Sequence, residues 1–488
     1  MTDDILNQAY DPENFRREGH RLVDQIADHL EASLSGEWEK VLPWADPESL
    51  LAAWDTDLES PGDLSSEAFF DAVLRHSFNK HLPRDMGHQV TSTAPLAVLA
   101  DFLSAYINSG SGVYEVGTVS TVFERRIVEL VARRTGYGAA ASGFLTSGGT
   151  LGNLTALLAA RQARAGSDVW ESGGGPFAVM VSAEAHYSID RVIRIMGWGS
   201  EGLIPVPVDG DFRMRAAALS AAYEAAVEEG KQVIAVVGNA GATATGAFDP
   251  LEEIADFCAE KGLWFHVDGA HGGAVIFSDR HKHLLKGLER ADSFIFDFHK
   301  LLLTPALVTA VMFREGGHSY ETFAQKAQYL WQDESRREWY NLAKRTFECT
   351  KPILSLKVYA VLQAYGTKLF EAAVDQAFAQ AQEMAALLRE AADFELLTEP
   401  AANILCYRFT PPGYTGDLSA LNAQLRRNLI EDGSYFIVQT IIRGEVYLRS
   451  ALMHPLAGAT DFAGLLDKIR ALHKPSLADH RQVLPGKA

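Results

Sequence analysis

The chain has 488 residues and carries 44 Lys and Arg against 63 Asp and Glu, which gives a formal net charge of −19. This acidic balance argues against nucleic acid or an anionic membrane surface as a partner, because the electrostatic field of the protein repels both. Hydrophobic residues make up 47% of the chain and charged residues 22%. These proportions are typical of a globular protein with a large core and exclude a disordered chain.

Two further features predict a cytoplasmic protein. The first residues, MTDDILNQAY, are acidic and contain no apolar core, so the sequence predicts no secretory signal peptide. The cysteines are far apart and form no Cys-x-x-Cys pair, which favours reduced thiols over a disulfide framework. We expect each of the three to act as a small buried hydrophobe: Cys258, Cys349 and Cys406.

Residues 1–80 are predicted to form an N-terminal helical arm. Asp11 followed by Pro12 is typical of an N-cap and the first position of a helix. Apolar residues then recur at helical spacing from Phe15 to Leu30. An amphipathic arm of this kind cannot bury its apolar stripe alone, so we expect it to pack on another body or on a second chain.

Residues 81–366 are predicted to form an α/β domain. Short apolar runs without polar alternation are separated by helical patterns, which indicates a parallel sheet with helices on both faces. The predicted strands of this domain cover residues 178–182, 203–208, 233–237, 263–267, 293–296 and 307–313. A long helix over about residues 369–392 then opens a smaller α+β domain, 367–488. Its predicted strands cover residues 394–397, 404–409, 435–441 and 446–452.

The segment Thr146–Thr150 has the sequence TSGGT and precedes a predicted helix that starts at Leu151. Its glycines let the backbone approach a ligand closely, and free N–H groups at a helix N-terminus attract anions. Ser147 and Thr150 add hydroxyl donors. A plain helix-capping turn is the simpler interpretation, and for this segment alone it is the better one.

Asp268 ends a strand that is otherwise almost wholly apolar. In open α/β sheets, ligands bind beyond the carboxyl ends of the strands. A carboxylate there needs a cation or a proton donor as a partner, unless it serves as the N-cap of the next helix. A metal site formed by His266, Asp268 and His271 is a further alternative, although no second group of acids or histidines completes the ligand set.

Two more polar clusters follow apolar strands. Lys300 comes after one strand together with Asp297 and His299, and His186 lies between another strand and a helix. A lysine in such a place can lose its proton through desolvation and become a nucleophilic amine. The simpler alternatives are a solvated surface lysine and a structural histidine.

Taken together, the four clusters meet the requirements of pyridoxal 5′-phosphate. The phosphate needs an anion cradle, the pyridine nitrogen needs a carboxylate, the ring needs a flat stacking face and the aldehyde needs a lysine amine. All four are found at strand–helix junctions of one predicted sheet. The sequence therefore predicts pyridoxal 5′-phosphate as the cofactor and no metal.

The motifs TSGGTLGN, AHYSIDR, HVDGAHGG and DFHK, in this order, resemble those of the group II pyridoxal-phosphate decarboxylases. The resemblance covers about residues 80–455. It implies the fold type I aminotransferase architecture, with a mixed, mostly parallel sheet. It also implies decarboxylation of an L-amino acid to an amine and CO2, and a homodimer with active sites at the subunit interface and an arm that wraps the partner.

The same resemblance implies roles for individual residues. Lys300 would hold the cofactor as an aldimine, Asp268 would pair with the pyridinium and His186 would stack on the ring. The other cofactor-binding residues that it implies are Ser147, Gly148, Gly149, Thr150, Thr243, Ala270, Asp297 and His299. In this family a loop tyrosine, offered across the dimer, protonates the substrate carbon. We expect Tyr340 in that role, with Tyr329 as the alternative.

The substrate stays open among aromatic, acidic and diamino acids. Where members of this family often have paired arginines, the chain has Lys351-Pro352. Over residues 81–89 it lacks the aromatic-rich segment of the aromatic-amino-acid enzymes, which argues against an aromatic substrate. The segment DFHKLLLTP is more similar to the diaminobutyrate enzymes. An oxidative decarboxylase-deaminase or another carbon–carbon lyase would share every cofactor residue. A metal-dependent hydrolase that uses His266, Asp268 and His271 is the remaining alternative.

Overall fold

The computed structural model describes residues 2–54, 57–60, 62, 65–166, 168–323 and 337–473. The chain divides into two compact units. One unit spans the segments 1–88, 386–397 and 406–488, and the other spans 89–385 and 398–405. The division of the sequence at residues 80 and 366 stays a prediction. Within the described ranges, no helix is both long and apolar enough to cross a lipid bilayer.

Seventeen α-helices lie in the described ranges. In chain order they are α1 Thr2–Ala9, α2 Pro12–Ser35, α3 Pro47–Ala53, α4 Ser66–His76, α5 Pro95–Ile107, α6 Tyr114–Thr135, α7 Gly149–Arg164, α8 Val169–Ser172, α9 Tyr187–Ile195, α10 Leu219–Glu228, α11 Leu251–Lys261, α12 Phe298–Leu301, α13 Gly317–Phe323, α14 Ser355–Tyr365, α15 Lys368–Glu390, α16 Leu418–Asp432 and α17 Ala459–His473. Short 3₁₀ turns connect several of them.

The strands form two sheets. In chain order they are β1 Ser142–Thr146, β2 Phe177–Ser182, β3 Leu203–Val206, β4 Gln232–Asn239, β5 Trp264–Asp268, β6 Ser293–Asp297, β7 Thr309–Phe313, β8 Phe394–Leu396, β9 Ile404–Phe409, β10 Val438–Ile442 and β11 Glu445–Ala451. The larger sheet has seven strands in the order β1-β7-β6-β5-β4-β2-β3, and the smaller has four in the order β10-β11-β9-β8. The sequence predicted all of these strands except β1, with end shifts of a few residues.

The seven-stranded sheet is mixed but mostly parallel. Strands β3, β2, β4, β5 and β6 pair in parallel, whereas β7 is antiparallel to both β6 and β1. Strand β1 was not predicted, because Ser142–Thr146 contains only two large apolar residues. Its burial comes from pairing with β7, which a local pattern does not reveal.

The helical arm begins as the sequence predicted. The Asp11 carboxylate accepts the N–H of Glu13 at 3.0 Å, and Pro12 occupies the first helical position of α2. Gly36 ends the helix with φ of +85°, a left-handed conformation that glycine adopts without strain. Many apolar side chains of the arm are exposed, including Ile5 and Phe15.

The cysteine prediction is partly wrong. Cys258 and Cys406 are buried free thiols, as expected, but Cys349 is exposed. Cys349 lies in the irregular segment between the 3₁₀ turn Leu342–Lys344 and α14, where no periodic apolar pattern indicates which side chains face the core. In a connecting segment without a periodic pattern, the type of a residue is therefore a weak predictor of whether its side chain is buried.

The same segment is attached to the large sheet by a buried ion pair. Lys351 Nζ lies 2.6 Å from Glu124 Oε1 and donates to the carbonyl oxygen of Leu145 at 2.5 Å. The Leu145 N–H donates to the same carboxylate oxygen at 2.9 Å. The Lys351 and Glu124 side chains are 0% and 2% exposed, so neither charge has water as a substitute partner. This pair fixes the position of the residues just before it, including Glu348.

Replacing Lys351 with Met should lower the free energy of unfolding by about 3–5 kcal/mol, because it leaves the Glu124 carboxylate buried and unpaired. Adding Glu124→Gln to the same chain should restore most of that loss, since no charge is then left alone. Urea unfolding at fixed protein concentration measures both values. As a control, Arg75→Met breaks an exposed pair with Asp71 and should cost less than about 1 kcal/mol. Equal losses for Lys351→Met and Arg75→Met would contradict this interpretation.

Candidate active site

Three neighbouring parallel strands end in a polar residue at the same edge of the large sheet. These residues are Asn239 on β4, Asp268 on β5 and Asp297 on β6, and the register pairs Asn239 directly with Asp268. A cavity opens at this edge, as expected for the carboxyl ends of strands in an α/β sheet. It is lined by Gly149, Thr150, Asn153, His186, Ser188, Asn239, Gly241, Ala242, Thr243, Asp268, Ala270, His271, Asp297 and Lys300.

Asp268 is 7% exposed and is held by hydrogen bonds on both carboxylate oxygens. Asn153 Nδ2 donates to Oδ2 at 2.9 Å, and the backbone N–H of Ala270 donates to Oδ1 at 3.1 Å. Donors of this kind stabilise the ionised form of a buried carboxyl group. Asp268 therefore presents a fixed negative charge to the cavity.

Lys300 lies in the short helix α12, directly after β6. Its Nζ is 3.2 Å from Asp297 Oδ2, and Thr309 Oγ1 donates to the other oxygen of that carboxylate at 2.5 Å. The neighbouring His299 has its Nε2 3.7 Å from Asp297 Oδ2. Burial lowers the pKa of His299, so its ring is neutral at neutral pH. Asp297 thus orients the amine of Lys300 at the mouth of the sheet.

His186 is the N-cap residue of α9. Its Nδ1 lies 2.8 Å from Ser188 Oγ and accepts the backbone N–H of Ser188 at 3.3 Å. Burial lowers the pKa of His186, although the negative charge of Asp268 acts in the opposite direction. The lowered pKa favours a neutral ring. The ring is thereby fixed at its Nδ1 edge beside the cavity.

The N-terminus of α7 forms another wall. Gly148 precedes it with φ of +100°, a conformation that other residues adopt only with strain, and no side chain of the described residues caps its first turn. A Cβ added at Gly149 would lie 3.2 Å from Ala270 Cβ, so the backbone packs closely there. The hydroxyls of Thr146 and Ser147 donate to Glu348 at 2.6 and 2.9 Å.

The structure brings most of the predicted site residues together. Those that line the cavity are Gly149, Thr150, His186, Thr243, Asp268, Ala270, Asp297 and Lys300. Three predicted residues are neighbours of these in the chain but do not line the cavity: Ser147, Gly148 and His299. The hydroxyl of Ser147 donates a hydrogen bond to Glu348. Tyr340 is half-buried against Tyr114 and likewise does not line this cavity. Tyr329 lies outside the described residues.

Sequence analysis missed Asn153, Ser188 and Asn239. Asn153 lies one turn into α7, and its side chain reaches both Asp268 and Ser188, at 2.9 and 3.1 Å. It was included in the motif TSGGTLGN, so its position relative to the glycines was the available signal. Asn239 had a weaker signal, as a polar residue at the end of an apolar strand.

The two histidines of the alternative metal site form hydrogen bonds with other side chains. His266 is bonded to Asn153 and Ser293, and His271 Nε2 lies 2.6 Å from Asn403 Oδ1. Within the described ranges, no group of three or more His, Cys, Asp or Glu side chains is arranged to hold a metal ion. The hydrolase alternative is therefore not supported by the arrangement of these side chains.

The cavity fits pyridoxal 5′-phosphate. The uncapped N–H groups of α7 suit a phosphate, and the Asp268 carboxylate suits a protonated ring nitrogen. Asn239 Nδ2 is buried and has no hydrogen-bond partner within the described part of the chain, so a donor is available for a ligand acceptor. The Lys300 side chain lines the same cavity, and its amine suits the cofactor's aldehyde.

Comparisons with known proteins agree with this geometry. The model of the family "Pyridoxal-dependent decarboxylase conserved domain" matches residues 76–410. The chain is 27% identical to an aromatic-L-amino-acid decarboxylase of Bacillus atrophaeus over 96% of its own length and 97% of the relative's. It is 31% identical to an L-2,4-diaminobutyrate decarboxylase of Rhizobium meliloti over 81% of its own length and 79% of the relative's.

Among solved structures, a crystal structure of mouse CSAD superposes with a TM-score of 0.87 at 27% identity, covering 95% of this chain and 99% of that one. The chain therefore has the fold type I architecture and belongs to the pyridoxal-dependent decarboxylase family. It is a pyridoxal-phosphate-dependent amino-acid decarboxylase, a carboxy-lyase. The relatives favour this reaction over the oxidative and hydrolytic alternatives.

Proposed function

We propose that this chain decarboxylates an L-amino acid with a short polar side chain, with Lys300, Asp268 and His186 as the residues that contact the cofactor. The observation that supports these roles is a single cavity that joins the three side chains to the uncapped N-terminus of α7. Each of the three side chains meets one requirement of pyridoxal phosphate.

Each of these residues has a physical task. Bound pyridoxal phosphate supplies an electron sink for the pair released when the carboxylate leaves the substrate. Asp268 would hold a proton on the ring nitrogen through its negative charge, and neutral His186 would cover the ring without adding a like charge. The N–H groups of Gly149 and Thr150 bind the phosphate. Lys300 Nζ, oriented by Asp297, is the amine that would hold the cofactor through its aldehyde.

The substrate proposal has two supports. The relative at 31% identity is named a diaminobutyrate decarboxylase, whereas the aromatic-amino-acid relative is 27% identical. The segment that carries Lys300 reads DFHKLLLTP, which is similar to the diaminobutyrate enzymes. We therefore propose a polar side chain on the substrate, with aromatic amino acids as poorer substrates.

We also propose a homodimer with active sites at the subunit interface. Helix α5 exposes five large apolar side chains, Leu99, Phe102, Leu103, Tyr106 and Ile107, from 44% to 72%. Contiguous apolar surface of this kind is typical of a protein–protein interface. A second copy would cover it, and Tyr340 in the dimer is the proposed proton donor to the substrate carbon.

Borohydride reduction of the cofactor-loaded protein should attach the cofactor to Lys300, because this amine forms the carbon–nitrogen bond that the reagent reduces. Peptide mass spectrometry locates the label. Lys300→Ala should lose both the label and measurable CO2 release, whereas Lys286→Ala, at an exposed lysine, should retain both. A label on another lysine would contradict the assignment.

A panel of amino acids should separate the substrate classes. We expect kcat/KM for the best of L-2,4-diaminobutyrate, L-aspartate and L-glutamate to exceed that for L-tryptophan and L-phenylalanine by about tenfold or more. A site built for a polar side chain leaves its own polar groups unpaired with an apolar one. Release of CO2 measures turnover, and the amine product is confirmed by chromatography. A preference for the aromatic substrates would refute this part of the proposal.

Leu103→Asp should weaken the dimer by at least about tenfold, because it places a charge on the surface that the second copy covers. Sedimentation velocity over a range of concentrations measures the dissociation constant. Val227→Asp, at a similarly exposed position on α10, is the matched control and should leave it unchanged. A wild-type chain that sediments as a monomer would overturn the proposal.

A further inference from the structure

Asn153 is the centre of a buried hydrogen-bond network beside the cavity. Its Nδ2 donates to Asp268 Oδ2 at 2.9 Å and to Ser188 Oγ at 3.1 Å, and its Oδ1 lies 2.9 Å from His266 Nε2. Asn153, Ser188 and His266 are each at most 1% exposed. One amide therefore links the carboxylate at the end of β5 to the serine that holds His186.

The direction of each hydrogen bond follows from the carboxylate. Ionised Asp268 only accepts, so the amide nitrogen of Asn153 faces it and the amide oxygen faces His266. His266 Nε2 must then carry a proton in order to donate to Oδ1. Burial lowers the pKa of His266 to about 4, although Asp268 acts in the opposite direction. The ring is therefore neutral. Because its one proton is on Nε2, Nδ1 is an acceptor.

The far end of the network accommodates the same proton positions. The Trp264 indole N–H, which can only donate, lies 2.8 Å from Ser293 Oγ. Ser293 Oγ thus accepts from Trp264, and its own hydrogen is available for His266 Nδ1 at 2.9 Å. The Asn153 end requires a proton on His266 Nε2, and the Ser293 end is compatible with it, because the Ser293 hydroxyl can donate to Nδ1.

The network also determines the tautomer of His186. Ser188 Oγ accepts from Asn153, so its hydrogen is available for His186 Nδ1 at 2.8 Å. The backbone N–H of Ser188 donates to the same nitrogen. With two donors facing Nδ1, the proton of the neutral His186 ring is on Nε2.

We propose that Asn153, His266 and Ser293 are positioning residues, which together keep Asp268 ionised toward the cavity and His186 neutral with its proton on Nε2. This inference rests on the proposed function, in which Asp268 and His186 contact the cofactor from different sides. A carboxylate stabilises the protonated ring nitrogen only if it remains ionised, and a cationic His186 would repel that ring. The amide of Asn153 contributes to both conditions through its hydrogen bonds to Asp268 and Ser188.

Titration of the cofactor-free protein with pyridoxal phosphate, followed by visible absorbance, tests the network. Asn153→Leu should weaken binding by about tenfold or more, because Asp268 loses a charge-assisted hydrogen bond. His266→Leu should weaken it by about fivefold, and His266→Gln, which keeps an N–H for Asn153 Oδ1, should restore binding to within about twofold of wild type. Failure of His266→Gln to restore binding would show that His266 acts by packing alone and would overturn the proposal.

Variants at the far end avoid disturbing the cavity itself. Ser293→Ala removes only the hydroxyl that donates to His266 and should weaken cofactor binding by about threefold. The matched control is Ser182→Ala, at a buried serine that ends β2 outside the network, and it should leave binding unchanged. Thermal unfolding of each cofactor-free variant shows whether the chain is folded. Equal binding by Ser293→Ala and wild type would count against the proposal.

Nitrogen-15 spectra of histidine-labelled, cofactor-free protein give a readout that needs no cofactor. Signals lost in His266→Gln and His186→Gln assign the two rings, and both should be neutral with the proton on Nε2 at neutral pH. A proton on Nδ1 of either ring would refute the network. If wild type gives this spectrum but binds no pyridoxal phosphate, the proposed function fails while the proton positions stand.

Discussion

The site depends on keeping one carboxylate charged inside the protein. Asp268 is almost fully buried, where an ionised carboxyl group is costly unless donors surround it. Asn153 and the Ala270 backbone provide those donors, and Asn153 is itself fixed by His266. Because these groups are withdrawn from water, their orientation is set by one another and not by solvent.

The sheet brings the polar groups of the cavity together by a simple geometric rule. Parallel strands place their carboxyl ends at one edge, and here β4, β5 and β6 end in Asn239, Asp268 and Asp297. Lys300 follows β6 by only three residues, so the short helix α12 holds its amine against Asp297. The fold thus brings positions far apart in the chain into one cavity.

The segment around Lys351 positions the turn that precedes α7. Lys351 is part of a buried ion pair with Glu124, which attaches its segment to the sheet. That segment carries Glu348, whose carboxylate accepts the hydroxyls of Thr146 and Ser147 just before α7. The hydroxyl of Ser147 therefore positions the turn, and no side chain of the described residues caps the first N–H groups of α7.

The sequence by itself determined the α/β class, the strands with continuous apolar runs, and the four polar clusters that contain Lys300, Asp268 and His186. These features are local, since strand period, turn residues and polar residues at strand ends are readable within a few positions. Only the tertiary structure decided the pairing of β1 with β7, the exposure of Cys349 and the part played by Asn153. Each depends on contacts between segments distant in the chain, and a hydrogen bond across more than a hundred residues leaves no local pattern.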